Sequence, residues 1–237
     1  MPGLASQFDG FRIVQLTDVH LLPSWWRAYD RLIERLQSDP PDLLILTGDL
    51  LEYKINQGPS LPTLERFLHG LRARLGVWVI LGNHDGDLLG PHIKRFGANL
   101  INGRFVRLAD DQRGGFLELI GSPGVLRGDS EDAIIAITPP RAANSLRVLM
   151  SHYPDTIREL HVLQPDLMLA GHTHGGQACL PGGFPIIRHD SLPRRYCKGV
   201  NRLMDTWLVV SRGMGFATRQ FRVFCPTEVI ELVLRPT

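Results

Sequence analysis

The sequence predicts a single α/β domain over residues 1–237, and three observations predict it. Short apolar segments alternate with amphipathic ones along most of the chain, the order expected when parallel strands are joined by helical crossovers. With 43% apolar and 21% charged residues, and 24 glycines and 17 prolines scattered without period, the composition supplies a core and excludes collagen-like, coiled-coil and disordered classes. No internal repeat or Ser/Pro-rich linker divides the 237 residues, a length that one large domain can fill.

In chain order, residues 12–16 (RIVQL) are the first strand and run into Thr17-Asp18-Val19-His20. Residues 27–37 follow, with apolar positions at the three- and four-residue spacing of a helix with one buried face. Residues 42–46 (DLLIL) run into Thr47-Gly48-Asp49, residues 61–74 read as a second helix, and residues 77–81 (VWVIL) run into Gly82-Asn83-His84-Asp85. Residues 105–108 and 116–120 flank Asp110-Asp111-Gln112-Arg113-Gly114-Gly115 and form a β-hairpin. Residues 146–150 (LRVLM) run into Ser151-His152-Tyr153, residues 154–163 are the third helix, and residues 166–170 (DLMLA) run into Gly171-His172-Thr173-His174. Strands over 206–210 and 229–234 close the chain.

In open α/β sheets the functional crevice lies beyond the carboxyl ends of the strands. Five strands here end in Asp, Asn or His, and pooling those residues gives Asp18, His20, Asp49, Asn83, His84, Asp85, His152, His172 and His174, with five of the nine histidines. Oxygen and imidazole donors without thiolate suit Mn, Fe or Zn, and their number exceeds what one tetrahedral ion needs. Two divalent metal ions are the economical reading. In Asp18-x-His20 and His172-x-His174 the i, i+2 spacing would put both side chains on one side of an extended backbone.

DxH, GD, GNHD, a lone His and GHTH, in that order over residues 18–174, resemble the calcineurin-like metallophosphoesterase family. The resemblance implies a four-layer fold, with two mixed β-sheets packed face to face and helices on the outside. It also implies one metal held by Asp18, His20, Asp49 and His174 and a second by Asp49, Asn83, His152 and His172, with Asp49 bridging. Two such ions, about 3.5–4 Å apart, would activate water for in-line attack at phosphorus. His84 would contact the phosphate and assist the departing oxygen, with Asp85 orienting it by a hydrogen bond. The extended motif His172-Thr173-His174-Gly175-Gly176-Gln177, together with residues 208–234, is similar to a bacterial branch that includes anchored phosphodiesterases and a UDP-2,3-diacylglucosamine hydrolase. The expected activity is hydrolysis of a phosphodiester or pyrophosphate bond in a small or lipid-linked substrate. A nuclease of the same family and a noncatalytic metal-binding scaffold are the alternatives.

Other features bear on partners. Trp25-Trp26, just after the first motif, reads either as an exposed aromatic lip for an acyl chain, nucleobase or membrane, or as a helix start with one ring packed inward. Residues 188–222 carry Arg188, Arg194, Arg195, Lys198, Arg202, Arg212, Arg219 and Arg222 against Asp190 and Asp205. That run is either a solvated face or a phosphate-attracting rim, in which Arg194 and Arg195 would bind substrate. His189 adjoins the run and is a further substrate contact to consider; His69, His92 and His161 read as surface residues. The net charge of +2 and the confinement of the basic run to one segment argue against nucleic acid as partner. Three cysteines with no CxxC pair read as reduced and mostly buried. No apolar run approaches the roughly 20 residues of a bilayer span, and the first residues lack an export signal. The expected location is cytoplasmic, with peripheral contact to the inner membrane as the variant the resemblance adds.

Overall fold

The computed structural model describes residues 1, 4–52, 57–86, 88–122, 130–216 and 221–236. Two mixed sheets face each other. The first has the order β13-β1-β2-β3-β4, built from Ile230–Val233, Arg12–Leu16, Leu43–Thr47, Val77–Ile80 and Asn99–Leu100. Its strands are parallel except for β13, which pairs antiparallel with β1. The second has the order β11-β12-β8-β7-β6-β5, from Gly199–Leu203, Thr206–Val210, Leu167–Ala170, Ser145–Met150, Gly115–Gly121 and Arg104–Asp110. Its central strands are parallel, and antiparallel pairs close both edges. A two-stranded ribbon, β9 (Cys179–Leu180) with β10 (Phe184–Pro185), stands apart.

Strand alternation explains the layering, because successive side chains point to opposite faces. Ile13, Leu43, Ile45, Trp78 and Ile80 of the first sheet meet Leu117, Leu119, Leu146, Val148, Leu167 and Leu169 of the second in the central core. The intervening residues Val14, Leu16, Leu44, Leu46, Val77 and Val79 face outward and are covered by α1 (Arg27–Ser38), α2 (Leu61–Gly70) and α3 (Leu89–Arg95). On the other side Ile120, Leu149, Met168, Leu208 and Val210 are covered by α4 (Ser130–Ile137) and α5 (Ile157–Leu160). Strands buried on both faces must be apolar throughout, which is why the segments read as continuous runs. This is the four-layer arrangement expected above. Among the described residues no helix is long and apolar enough to cross a membrane.

Two helices depart from expectation. The second ends at Gly70, where a side chain would collide with Ile33 of α1 at 2.6 Å, and Leu71 turns extended and buries. Residues 154–163 form one α-helical turn set between two 3₁₀ turns, ended by Gln164 in the left-handed region at φ 53°. All three cysteines are buried and free.

Candidate metal centre

The centre is assembled from loops that leave five strands at one edge of the two facing sheets. Residues 18–20 follow β1, Asp49 follows β2, residues 83–85 follow β3, His152 follows β7, and residues 172–174 follow β8. The extended-backbone expectation for the two i, i+2 pairs fails. The strands stop at Leu16 and Ala170, and Asp18, His20, Asp49, His172 and His174 all lie in the left-handed region, with φ between 48° and 67°. Asp and His tolerate that region better than branched residues, and holding several there is the kind of local strain that clusters at functional sites. The turns fold Asp18 and His20 onto one spot but send His172 and His174 to different halves of the cluster.

In one half, ligand atoms of Asp18, His20, Asp49 and His174 all lie within 4.8 Å of one another. His20 Nε2 is 3.2 Å from His174 Nε2, and His174 Nε2 is 3.4 Å from Asp18 Oδ1. In the other half, His152 Nε2 lies 3.0 Å from Asn83 Oδ1 and 3.3 Å from His172 Nδ1. Asp49 Oδ2 joins the halves, at 3.7 Å from His20 Nε2 and 3.4 Å from His152 Nε2. The donor set fits a cation. His152 Nδ1 donates to the Thr47 carbonyl at 2.8 Å, which leaves Nε2 as a lone pair converging with the carbonyl oxygen of Asn83 and the carboxylate of Asp49. Converging acceptors, with Asp18, Asp49 and His152 all buried, repel one another unless a proton or metal ion sits between them.

The titration behaviour reflects the same crowding. Burial pushes the Asp18 carboxyl up. Burial opposes charge on Asp49 too, but His152 and His20 hold its carboxyl well below the usual range. For His152, burial disfavours the imidazolium and the Asp49 carboxylate more than offsets this, raising the group to about 9. Burial, then the charge of His152, lowers His172 to about 4. Burial, then the charges of His20 and Arg222, lowers His174 to about 2.

Supporting contacts correct one expectation and add residues the motifs did not flag. Asp85 does not orient His84. Its Oδ1 accepts from Leu50 N at 2.9 Å and Leu51 N at 3.1 Å, and its Oδ2 accepts from Gly82 N at 2.9 Å, so it clamps the loops after β2 and β3. Burial, then the Asp49 charge, raises its carboxyl to about 6. His84 instead donates from Nδ1 to the Glu52 carbonyl at 2.7 Å, while its backbone N–H donates to Asp49 Oδ1 at 2.8 Å. Glu52 Oε2 also lies 2.7 Å from His20 Nδ1. Gln15 spans the two sheets beneath the cluster, donating to Thr47 Oγ1 at 3.0 Å and to the Ala170 carbonyl at 2.9 Å. A polar residue inside an otherwise apolar strand was the available sequence signal for Gln15. Two glycines are dictated by close approach: a Cβ on Gly82 would lie 2.2 Å from Asp49 Oδ1, and one on Gly171 would lie 2.1 Å from Thr17 Oγ1.

A family model for calcineurin-like phosphoesterase matches residues 11–176. The chain belongs to the calcineurin-like phosphoesterase family. It is 30% identical to metallophosphoesterase YkuE of Bacillus subtilis, over 97% of this chain and 81% of that one. It is 28% identical to phosphodiesterase YaeI of Escherichia coli, over 94% of this chain and 82% of that one. UDP-2,3-diacylglucosamine pyrophosphatase LpxG of Chlamydia trachomatis is 26% identical, over 76% and 68%. A longer Campylobacter jejuni metallophosphoesterase is spanned over 59% of its length. As a calcineurin-like phosphoesterase with a buried Asp/His cluster, the chain is a hydrolase of phosphoric esters that binds divalent metal ions.

Around the phosphoesterase centre the expected substrate contacts separate. Trp25 packs inward, donating from Nε1 to Asp30 at 2.9 Å beneath the Arg66 guanidinium, whereas Trp26 is 40% exposed, stacked on Tyr29 and edge-on to Phe216. One ring thus packs inward at the start of α1, and the other is left exposed. His189 is exposed, with its ring 6.4 Å from that of His172, and Tyr153 is nearer, at 4.4 Å. Arg194 lies over Phe184 and Arg195 over Tyr196, both at the surface. The basic run does not act as one patch: Arg212 is paired with Glu228 through Nε at 2.8 Å, and Arg222 Nη2 donates to His174 Nδ1 at 3.1 Å from behind the cluster. Arg219 lies outside the described residues.

Proposed function

We propose that this chain hydrolyses a phosphodiester or pyrophosphate bond of a small or lipid-linked substrate with two divalent cations, Mn, Fe or Zn. One would be held by Asp18, His20, Asp49 and His174, the other by Asp49, Asn83, His152 and His172. The observation that carries this reading is the single carboxylate oxygen, Asp49 Oδ2, within 3.7 Å of His20 and 3.4 Å of His152. Bound there, the cations supply an acidified water as nucleophile and absorb negative charge developing at phosphorus. The chain's own residues do the rest. His152 is oriented by Nδ1 donating to the Thr47 carbonyl, so its Nε2, once deprotonated, and the adjacent Asn83 carbonyl oxygen would both face the cation. His84, held at Nδ1 by the Glu52 carbonyl, keeps Nε2 for the substrate, and its imidazolium form has a proton there to pass to the departing oxygen. Trp26 offers an exposed ring for the organic part of the ester.

A phosphodiesterase and a pyrophosphatase among the relatives support the choice of bond. The pairing of residues near the C-terminus with β1 supports treating residues 1–237 as one domain. The test is hydrolysis of bis(p-nitrophenyl) phosphate with added Mn²⁺. Turnover that Asp49→Ala abolishes supports the reading; no turnover with Mn, Fe or Zn overturns it.

A further inference from the structure

The ribbon after the GHTHGG loop has an unusual surface. In β9 and β10, Leu180 opposes Phe184 and Cys179 opposes Pro185. Cys179 and Pro185 point inward and are buried, so Leu180 and Phe184 share the outer face. Residues 221–224 lie alongside, bonded where Cys179 N donates to the Val223 carbonyl at 2.9 Å and Val223 N to the Gln177 carbonyl at 3.0 Å. On this flap Leu180, Phe184, Ile186, Ile187, Phe221 and Phe224 are each between 50% and 59% exposed. Exposed apolar side chains gathered on one flap mark an interaction surface.

Charge identifies the partner. Residues 177–204 contain five basic side chains and one acid, Asp190, whose carboxylate is occupied by the backbone N–H groups of Leu192 and Asp155. Arg194 lies over the exposed ring of Phe184, and Lys198 reaches the Gly183 carbonyl at the ribbon's turn. Half-exposed Phe and Ile side chains flanked by Arg194 and Lys198 suit the headgroup layer of an anionic bilayer, where apolar groups insert and guanidinium groups meet phosphates. We infer that this flap docks the protein on an anionic phospholipid surface. It is continuous with the centre: Gln177 follows the His174 loop, and Arg222 links Phe216, edge-on to Trp26, with His174. Docking would therefore hold the side of the centre that carries His174 toward the lipid surface. That consequence for catalysis rests on the proposed phosphoesterase reading, whereas the docking itself does not.

The test is flotation of the full chain with vesicles of phosphatidylcholine alone and of phosphatidylcholine mixed with phosphatidylglycerol, over a range of salt. The wild type is expected on the anionic vesicles, increasingly released by salt. Phe184→Glu/Ile187→Glu is expected to lower the bound fraction about tenfold or more while keeping its turnover of soluble bis(p-nitrophenyl) phosphate, which shows that it is folded. No wild-type binding to anionic vesicles, or equal binding by the double variant, overturns the inference. So does gel filtration showing that the double variant only splits a dimer, which would assign the surface to a second copy of the chain. Loss of wild-type turnover with vesicle binding intact would sink the phosphoesterase reading alone.

Discussion

At the scale of single residues, the division of labour among the histidines can be tested through His84. His84 is half-buried, its ring 4.9 Å from that of His20, and it falls with His20 and Glu52 in a second group of potential ligands. Its backbone bond to Asp49 and its Nδ1 bond to Glu52 nevertheless leave one ring nitrogen for substrate. His84→Ala is expected to cut turnover by about 10²–10⁴-fold with metal content unchanged; loss of metal in elemental analysis would make it a ligand instead. His152 gives a second prediction, in pH. In the metal-free protein Asp49 raises this histidine to about 9 against the effect of burial, so a cation must displace a proton to bind. Metal affinity should therefore rise from pH 6.5 to 8.5 with proton release, measured by calorimetry in buffers of different ionisation enthalpy. Affinity that is flat or falls over that range contradicts the assignment. The ligand residues were legible because their types and order are distinctive in the chain itself. The roles of Glu52, Gln15 and Arg222 were not, because each acts on a partner far away in sequence: Arg222 reaches His174, 48 residues away, and Gln15 reaches Ala170, 155 residues away.

At the scale of elements, the second sheet is braced by an ionic row across three strands. Arg107 of β5, Glu118 of β6 and Arg147 of β7 sit in register. Glu118 accepts from Arg147 Nε at 2.7 Å, Arg107 Nε at 2.9 Å and Ala142 N at 3.1 Å, and the Glu118 and Arg147 side chains are buried. Breaking one partner of a buried pair leaves an uncompensated charge, a loss of about 3–5 kcal/mol. Arg147→Ala should show that loss in urea unfolding, and Arg147→Met with Glu118→Leu should recover most of it. A single variant as stable as wild type would show the row to be idle. The sequence predicted these strands through their apolar neighbours but not the row, since cross-strand register is set by tertiary pairing. The helix errors have the same origin: α2 stops where Ile33 of another helix needs Gly70, which helical periodicity alone does not reveal.

At the scale of the whole molecule, the centre exists only where two sheets meet. The first sheet supplies Asp18, His20, Asp49 and Asn83, the second supplies His152, His172 and His174, and Gln15 fixes one sheet to the other just below. The near-neutral +2 conceals an asymmetry: residues 1–179 carry 17 basic and 20 acidic side chains, and residues 180–237 carry 9 and 4. The acidic part contains the cation-binding carboxylates, and the basic part contains the flap proposed to meet an anionic surface. The α/β class was readable because strands sandwiched between a core and helices must be apolar on both faces, whereas the four-layer order came from the family resemblance. The flap was not, because its exposed apolar residues come from two segments far apart in the chain, 180–187 and 221–224, that meet at the bridge of Ala178 with Val223. The most direct test of the central claim is manganese bound per chain, measured on the same preparation as its turnover of bis(p-nitrophenyl) phosphate. Two ions per chain in active protein, with turnover lost on chelation and restored by Mn²⁺, is the predicted result; full turnover in metal-free protein would contradict it.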